Sequence, residues 1–195
     1  MNIVFDIGNV LIRWDARAAF PDMTPEAAQS FMDRIGFAAL NLRGDGGETF
    51  ADLARGIADD ADRALFLSYL ANYAATIAEP IEGTWALMDR LRARGHGIHA
   101  ITNWSAETWP IGLATHPRLA SAFDTTIVSG QEGVVKPDPA IFAALCDRAG
   151  ITPGTCVFID DSDKNVAGAR AFGMDAIPFT TPQALETALT ERGLL

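Results

Sequence analysis

Three acids, one lysine and one threonine stand where short apolar runs of this chain end. Asp6 closes "NIVFD", and Thr102 with Asn103 closes "GIHAITN". Lys136 lies in "EGVVKPDP", just after the run "TTIVSG", and Asp160-Asp161 close "TCVFIDD". Carboxylates gathered at one edge repel unless a cation lies among them. Lys136 is one such cation, and a hard divalent ion is the natural second. Mg²⁺ takes oxygen ligands, often from one or two carboxylates, and leaves other positions to water and phosphate oxygens. Such a set suits phosphoryl transfer, in which positioning and charge neutralisation do most of the work. Asp6 is the candidate nucleophile, attacking phosphorus to give an aspartyl-phosphate that water then hydrolyses. Thr102 would hold phosphoryl oxygens, Lys136 would balance the charge, and Asp160 and Asp161 would anchor the metal. Gly8 lets the backbone turn tightly and approach a ligand, and its carbonyl is a further candidate metal ligand.

These residues share an edge only if the runs that carry them form one sheet. "NIVFDI" is short, rich in β-branched and aromatic residues, and closed by Gly8, the pattern of a buried strand. After residue 80 strands and helices alternate through "GTWALMDRLRARG", "GIHAIT", "SAETWPIGLATHP", "TTIVSG", "DPAIFAALCDRAG", "TCVFID", "DKNVAGARAFG", "DAIPF" and "TPQALETALTERG". Ser105 is the expected N-cap of the third of these, and Gly95 and Gly150 are expected helix stops. Alternation of this kind means βαβ units and a parallel sheet covered on both faces. In such sheets ligands bind beyond the carboxyl ends of the strands, where all the residues named above would lie.

Between the first strand and residue 80 strand-like runs vanish. "TPEAAQSFMDRIGF", with Thr24 as N-cap and Glu26 in its first turn, and "ETFADLARGIADDADRALFLSYLANYAATIAE" read as helices. Between them "LNLRGDGGE" reads as a glycine-rich loop, whose Arg43 and Asp45 are candidates to reach the substrate. The fold class expected is therefore α/β: a doubly wound, Rossmann-like parallel sheet with an all-helical cap after its first strand. Residues 1–13 and 81–195 would form the core and residues 14–80 the cap.

The 195 residues are 49% hydrophobic and 21% charged, the composition of a folded globule, and the formal net charge is -10. That balance argues against nucleic-acid or anionic-membrane surfaces, while a local cation and a metal still admit an anionic substrate. Cys146 and Cys156 have no metal-ligand spacing and read as structural. His96, His99 and His116 show no ligand pairing. With no signal-peptide pattern and no long apolar run, the expected setting is the cytoplasm, as a monomer or homodimer.

The motifs "VFDIGNVL", "AITNWS", "KPDP" and "VFIDDSDKNVAGA", in this order and each at a strand end, resemble those of the haloacid dehalogenase superfamily of hydrolases. The resemblance covers essentially the whole chain, and the helical segment sits where that family carries a small cap. It implies that Asp6 is the nucleophile and that Thr102 and Lys136 contact the phosphoryl group. It further implies that Asp6, Gly8, Asp160 and Asp161 surround Mg²⁺, with a small phosphorylated molecule as substrate. Asn103, Trp104, Arg43 and Asp45 are the candidates for substrate contact. Phosphatases of the family usually carry a second Asp two residues after the nucleophile; here Gly8 stands there. The "D-x-G-N-V" form resembles a sugar-phosphate phosphatase-like subgroup. Asp15 and Asp45 of the helical segment, a water, or a good leaving group are the candidate substitutes for that acid. Two rival functions are a 2-haloacid dehalogenase using the same Asp6, and a binding protein that kept the fold and lost catalysis. The adjacent acids Asp160-Asp161 favour phosphoryl chemistry over dehalogenation, which needs no metal.

Overall fold

The computed structural model describes residues 1–195. Its sheet has five parallel strands: β1 (Asn2–Phe5), β2 (Gly97–Thr102), β3 (Thr125–Val128), β4 (Cys156–Asp160) and β5 (Asp175–Pro178), in the order β3-β2-β1-β4-β5. β1 is central because it is apolar on both sides. Ile3 and Phe5 face one core cluster, and Val4 faces the other. On the first face lie α5 (Glu82–Ala93), α6 (Trp109–Thr115) and α10 (Pro182–Glu191), which contribute Trp85, Leu91, Trp109 and Leu189. On the second lie α8 (Pro139–Ala149) and α9 (Asp163–Phe172), which contribute Phe142, Leu145 and Val166. Cys146 and Cys156 are buried in this second cluster with free thiols. The doubly wound α/β arrangement expected from strand–helix alternation is thus present.

The chain between β1 and α5 is helical: α1 (Pro25–Ile35), α2 (Phe37–Asp45), α3 (Phe50–Ala54) and α4 (Asp60–Thr76). Thr24 caps α1 as expected, its hydroxyl accepting from Ala27 N at 3.3 Å. The rings of Phe37, Phe50 and Tyr73 each pack on Tyr69 at centroid distances of 5.1–5.6 Å. They belong to the same apolar cluster as Ile3 and Phe5, so the insert and the first sheet face share one core.

Two local expectations need correction. "LNLRGDGGE" is not a loop through Asp45; α2 continues to that residue. Gly44 lies inside this helix and packs on Phe50 and Leu53, whose carbons would lie in ordinary contact, 3.5–3.8 Å from a Cβ there. The chain leaves the helix at Gly46 and at Gly47, whose φ is 104°. The second correction is that α6 starts at Trp109, not after Ser105. Pro110 has no N–H to give a preceding turn, so it fits only the first turn of a helix. Residues 105–108 instead form a turn, and Glu107 Oε2 accepts from Phe50 N at 2.6 Å, tying the insert to the sheet.

Gly168 of α9 faces Pro137, and an added Cβ would come within 2.6 Å of the proline Cβ. Gly→Ala inside a helix ordinarily gains about 0.8–1.0 kcal/mol. Here the clash with a rigid ring outweighs that gain, because overpacking typically costs about 1–3 kcal/mol. Gly168→Ala is expected to lower the urea midpoint; a raised midpoint would show that the Pro137 loop yields freely.

Candidate active site

The carboxyl ends of β1, β2 and β4 meet at Lys136. Its side chain is 1% exposed, and all three ammonium protons have acceptors: Asp6 Oδ1 at 2.8 Å, Asp160 Oδ2 at 2.7 Å and the Ile101 carbonyl at 3.1 Å. Asn103 fixes the lysine's backbone from both sides, accepting from Lys136 N at 2.8 Å and donating to Lys136 O at 3.3 Å. Asp6 Oδ1 also accepts from Ile7 N at 2.7 Å. That leaves Oδ2 as the oxygen without a protein donor. Asp160 is fully buried, its Oδ1 taken by Ser162 N and its two oxygens bridged by Asn165 Nδ2 at 3.0 and 3.1 Å.

Burial, and repulsion from Asp160, push the Asp6 carboxyl up to about 8, against the pull of the Lys136 ammonium. Burial and Asp160 raise Asp161 in the same way. One ammonium for three carboxylates leaves negative charge in excess. Oxygens of Asp6, Asp160 and Asp161 lie within 4.8 Å of one another, a donor set of the hard kind that Mg²⁺ prefers. The residues present therefore fit a divalent cation.

Over this floor opens a cavity of about 180 Å³. Asp6, Gly8, Asp161 and Asn103 reach it from the sheet, and Trp104 and Thr108 from the segment after β2. Trp14, Asn41, Asp45, Tyr73 and Ile77 reach it from the other side. Asn41 and Asp45 lie one turn apart on α2, and Asn41 Nδ2 donates to Asp45 Oδ2 at 3.0 Å. Ser129 Oγ, at the end of β3, donates to the Asp45 carbonyl at 2.6 Å and accepts from Trp104 N at 2.9 Å. One buried hydroxyl thus pins α2 to the sheet edge. Asn9 has a left-handed backbone (φ 55°), unusual for a residue other than glycine, and its Oδ1 holds Trp14 N at 3.0 Å.

Set against expectation, the geometry gathers Asp6, Gly8, Asn103, Trp104, Asp45 and Asp161 at one cavity. It places four other residues differently. Arg43 does not reach the cavity: it points outward into a bidentate pair with Glu48 because Asn41 and Asp45 occupy the inward face of α2. Lys136 and Thr102 are buried beneath the cavity instead of lining it, and the lysine meets the cavity only through its ion pair with Asp6. Asp160 likewise lies below, where its oxygens accept from Lys136, Asn165 and Ser162 and stay within 4.8 Å of those of Asp6 and Asp161. Asn9, Asn41, Tyr73 and Thr108 also line the cavity and Ser129 supports it from below, none of them expected from sequence. The pair Asn41-x-x-x-Asp45 was a usable signal once helical spacing was granted.

The haloacid dehalogenase-like hydrolase family model matches residues 1–173. Flavin mononucleotide hydrolase 1 of Arabidopsis thaliana is 30% identical over 114 residues, 58% of this chain and 46% of that protein. The chain thus spans under half the length of that relative. Phosphoglycolate phosphatase of Rhodospirillum rubrum is 29% identical over 192 residues, covering 90% of this chain and 77% of that protein. An HAD family enzyme of Bacteroides thetaiotaomicron, solved with magnesium and inorganic phosphate, superposes with a TM-score of 0.71. It is 22% identical and covers 92% of this chain and 94% of its own. No helix here is long and apolar enough to cross a membrane.

Proposed function

Because this chain belongs to the haloacid dehalogenase-like hydrolases, we propose that it is a Mg²⁺-dependent phosphatase. Its substrate would be a small phosphate ester with an uncharged, hydroxylated leaving group, of which sugar phosphates are the fitting class. The observation that carries this reading is the Asp6–Lys136–Asp160 arrangement. It holds one oxygen of Asp6 by 2.7–2.8 Å bonds and leaves the other for the cavity. Asp6 attacks phosphorus, the ester oxygen departs, and water then cleaves the aspartyl-phosphate. Lys136 keeps Asp6 oriented and offsets its charge. Asp6, Asp161 and the Gly8 carbonyl would hold Mg²⁺ directly, with Asp160 adding its charge from below. Mg²⁺ would supply neutralisation of the phosphoryl oxygens.

The leaving-group class follows from the cavity wall. Its charged residues are Asp6, Asp45 and Asp161, and none is a cation. A leaving group with its own carboxylate, such as glycolate, meets no partner there and faces Asp45. Trp14, Trp104 and Tyr73 offer ring faces, and Asn9 and Asn41 offer amides, which suits a polyol. Residues 14–80 serve in this reading as the cap over a core of residues 1–13 and 81–195, excluding water from the reacting group.

Phosphate release from sugar phosphates and from phosphoglycolate, each with Mg²⁺ and with EDTA, tests the reading. Release from sugar phosphates at least tenfold faster than from phosphoglycolate, and lost in EDTA, is the expected result. Halide release from 2-haloacids with no phosphate release would contradict it.

A further inference from the structure

A departing alkoxide needs a proton, and position 8, next to the nucleophile in this cavity, carries a glycine. We propose that Asp45, from the helical insert, gives that proton to the leaving oxygen and takes one from water in the second step. The proposal rests on the phosphatase reading. Asp45 is the one carboxyl lining the cavity besides Asp6 and Asp161 on its floor. It is held there by Asn41 through its side chain and by Ser129 through its carbonyl. Asp15, the other candidate in the insert, is bound by Arg17 at 2.8 Å through each of two bonds, lies outside the cavity, and has its carboxyl held low by that guanidinium.

In the first step Asp6 forms the bond to phosphorus, the P–O bond to the leaving group breaks, and the Asp45 proton moves to the leaving oxygen. In the second, water gives a proton to the Asp45 carboxylate as its oxygen attacks phosphorus. The P–O bond to Asp6 breaks, and phosphate leaves with both carboxyl groups restored. Burial pushes the Asp45 carboxyl up to about 7, opposed by the Ser105 backbone and the Lys136 charge. Such a group is near the balance an acid–base catalyst needs at neutral pH. The ionisable groups facing it are Lys136, Tyr69 and Tyr73, with Asp6 and Asp161 across the cavity. Of the charged side chains on the helices packed against α2, Arg34 pairs with Asp62, Asp52 with Arg55, and Glu132 of α7 (Ser129–Glu132) with Arg148, while Glu26 and Asp33 of α1 are exposed to solvent.

The test compares an alkyl phosphate, whose alkoxide must be protonated, with p-nitrophenyl phosphate, whose leaving group needs no proton. Asp45→Asn is expected to lower kcat/KM, which reports phosphoryl transfer to Asp6 and not the later attack of water, about 10²–10⁴-fold on the alkyl ester and less than about tenfold on the aryl ester. A Cβ at Gly8 meets nothing within 4 Å, so Gly8→Asp added to Asp45→Asn should restore at least tenfold of the alkyl rate. In the wild type, alkyl kcat/KM should fall as pH rises through about 7 while aryl kcat/KM does not. This profile decides the matter if Asp45→Asn fails to fold. Equal losses of kcat/KM on both esters in a folded variant, an unchanged alkyl kcat/KM, or identical pH profiles of kcat/KM would overturn the proton assignment. A wild type inactive on both esters would instead overturn the phosphatase reading, and this inference with it.

Discussion

Lys136→Met is expected to lower the free energy of unfolding by about 3–5 kcal/mol, the usual cost of removing one member of a buried ion pair. The lysine side chain is 1% exposed, and its partners Asp6 and Asp160 are 10% and 0% exposed. Without the ammonium, two buried carboxyls keep their desolvation cost and lose their compensating charge. Asn165 and Ser162 N still serve Asp160, but they supply dipoles, not a charge. Urea unfolding of the two proteins measures the difference. A loss below about 1 kcal/mol, typical of exposed pairs, would mean that the lysine does not neutralise the two acids.

Asp6→Asn separates chemistry from stability. The amide keeps an oxygen that can accept from Ile7 N and Lys136, so the local bonds survive. It also takes one negative charge out of the crowded carboxylates. Turnover of phosphate esters is expected to fall about 10⁴-fold or more, as when a nucleophile is removed from a cooperative site. The melting temperature should stay within a few degrees of the wild type. A variant that retains a tenth of the wild-type rate would remove Asp6 from the nucleophile's role.

The strands and most helices were legible because their signals are local. β-branched runs ended by Asp6, Thr102 and Asp160 needed no distant partner to be read, and neither did Thr24 as a cap nor Gly150 as a stop. The strand-end rule then gathered Asp6, Asn103, Lys136, Asp160 and Asp161 without any view of side chains. What the sequence did not show depends on packing between distant segments. Gly44 looked like a loop residue because Phe50 and Leu53, which cover it, are recognisable as its neighbours only in the fold. With α2 missed, Arg43 and Asp45 seemed equally able to face the substrate, although helical spacing sends one outward and the other in. Lys136 looked like a phosphoryl contact. That its protons are spent on Ile101, Asp6 and Asp160 is a property of three strands meeting. Ser129, which pins Asp45 to the sheet edge, carries no signal beyond being a serine after a strand.

The central claim is that Asp6 carries the phosphoryl group between ester and water. Its most direct test is to mix the protein with Mg²⁺ and a ³²P-labelled sugar phosphate, quench in acid within the first turnover, and locate the label. Label is expected on the peptide containing Asp6, lost on treatment with mild base as an acyl phosphate would be, and absent in Asp6→Asn. Steady phosphate release with no label on the protein, or label on a different peptide, would contradict it.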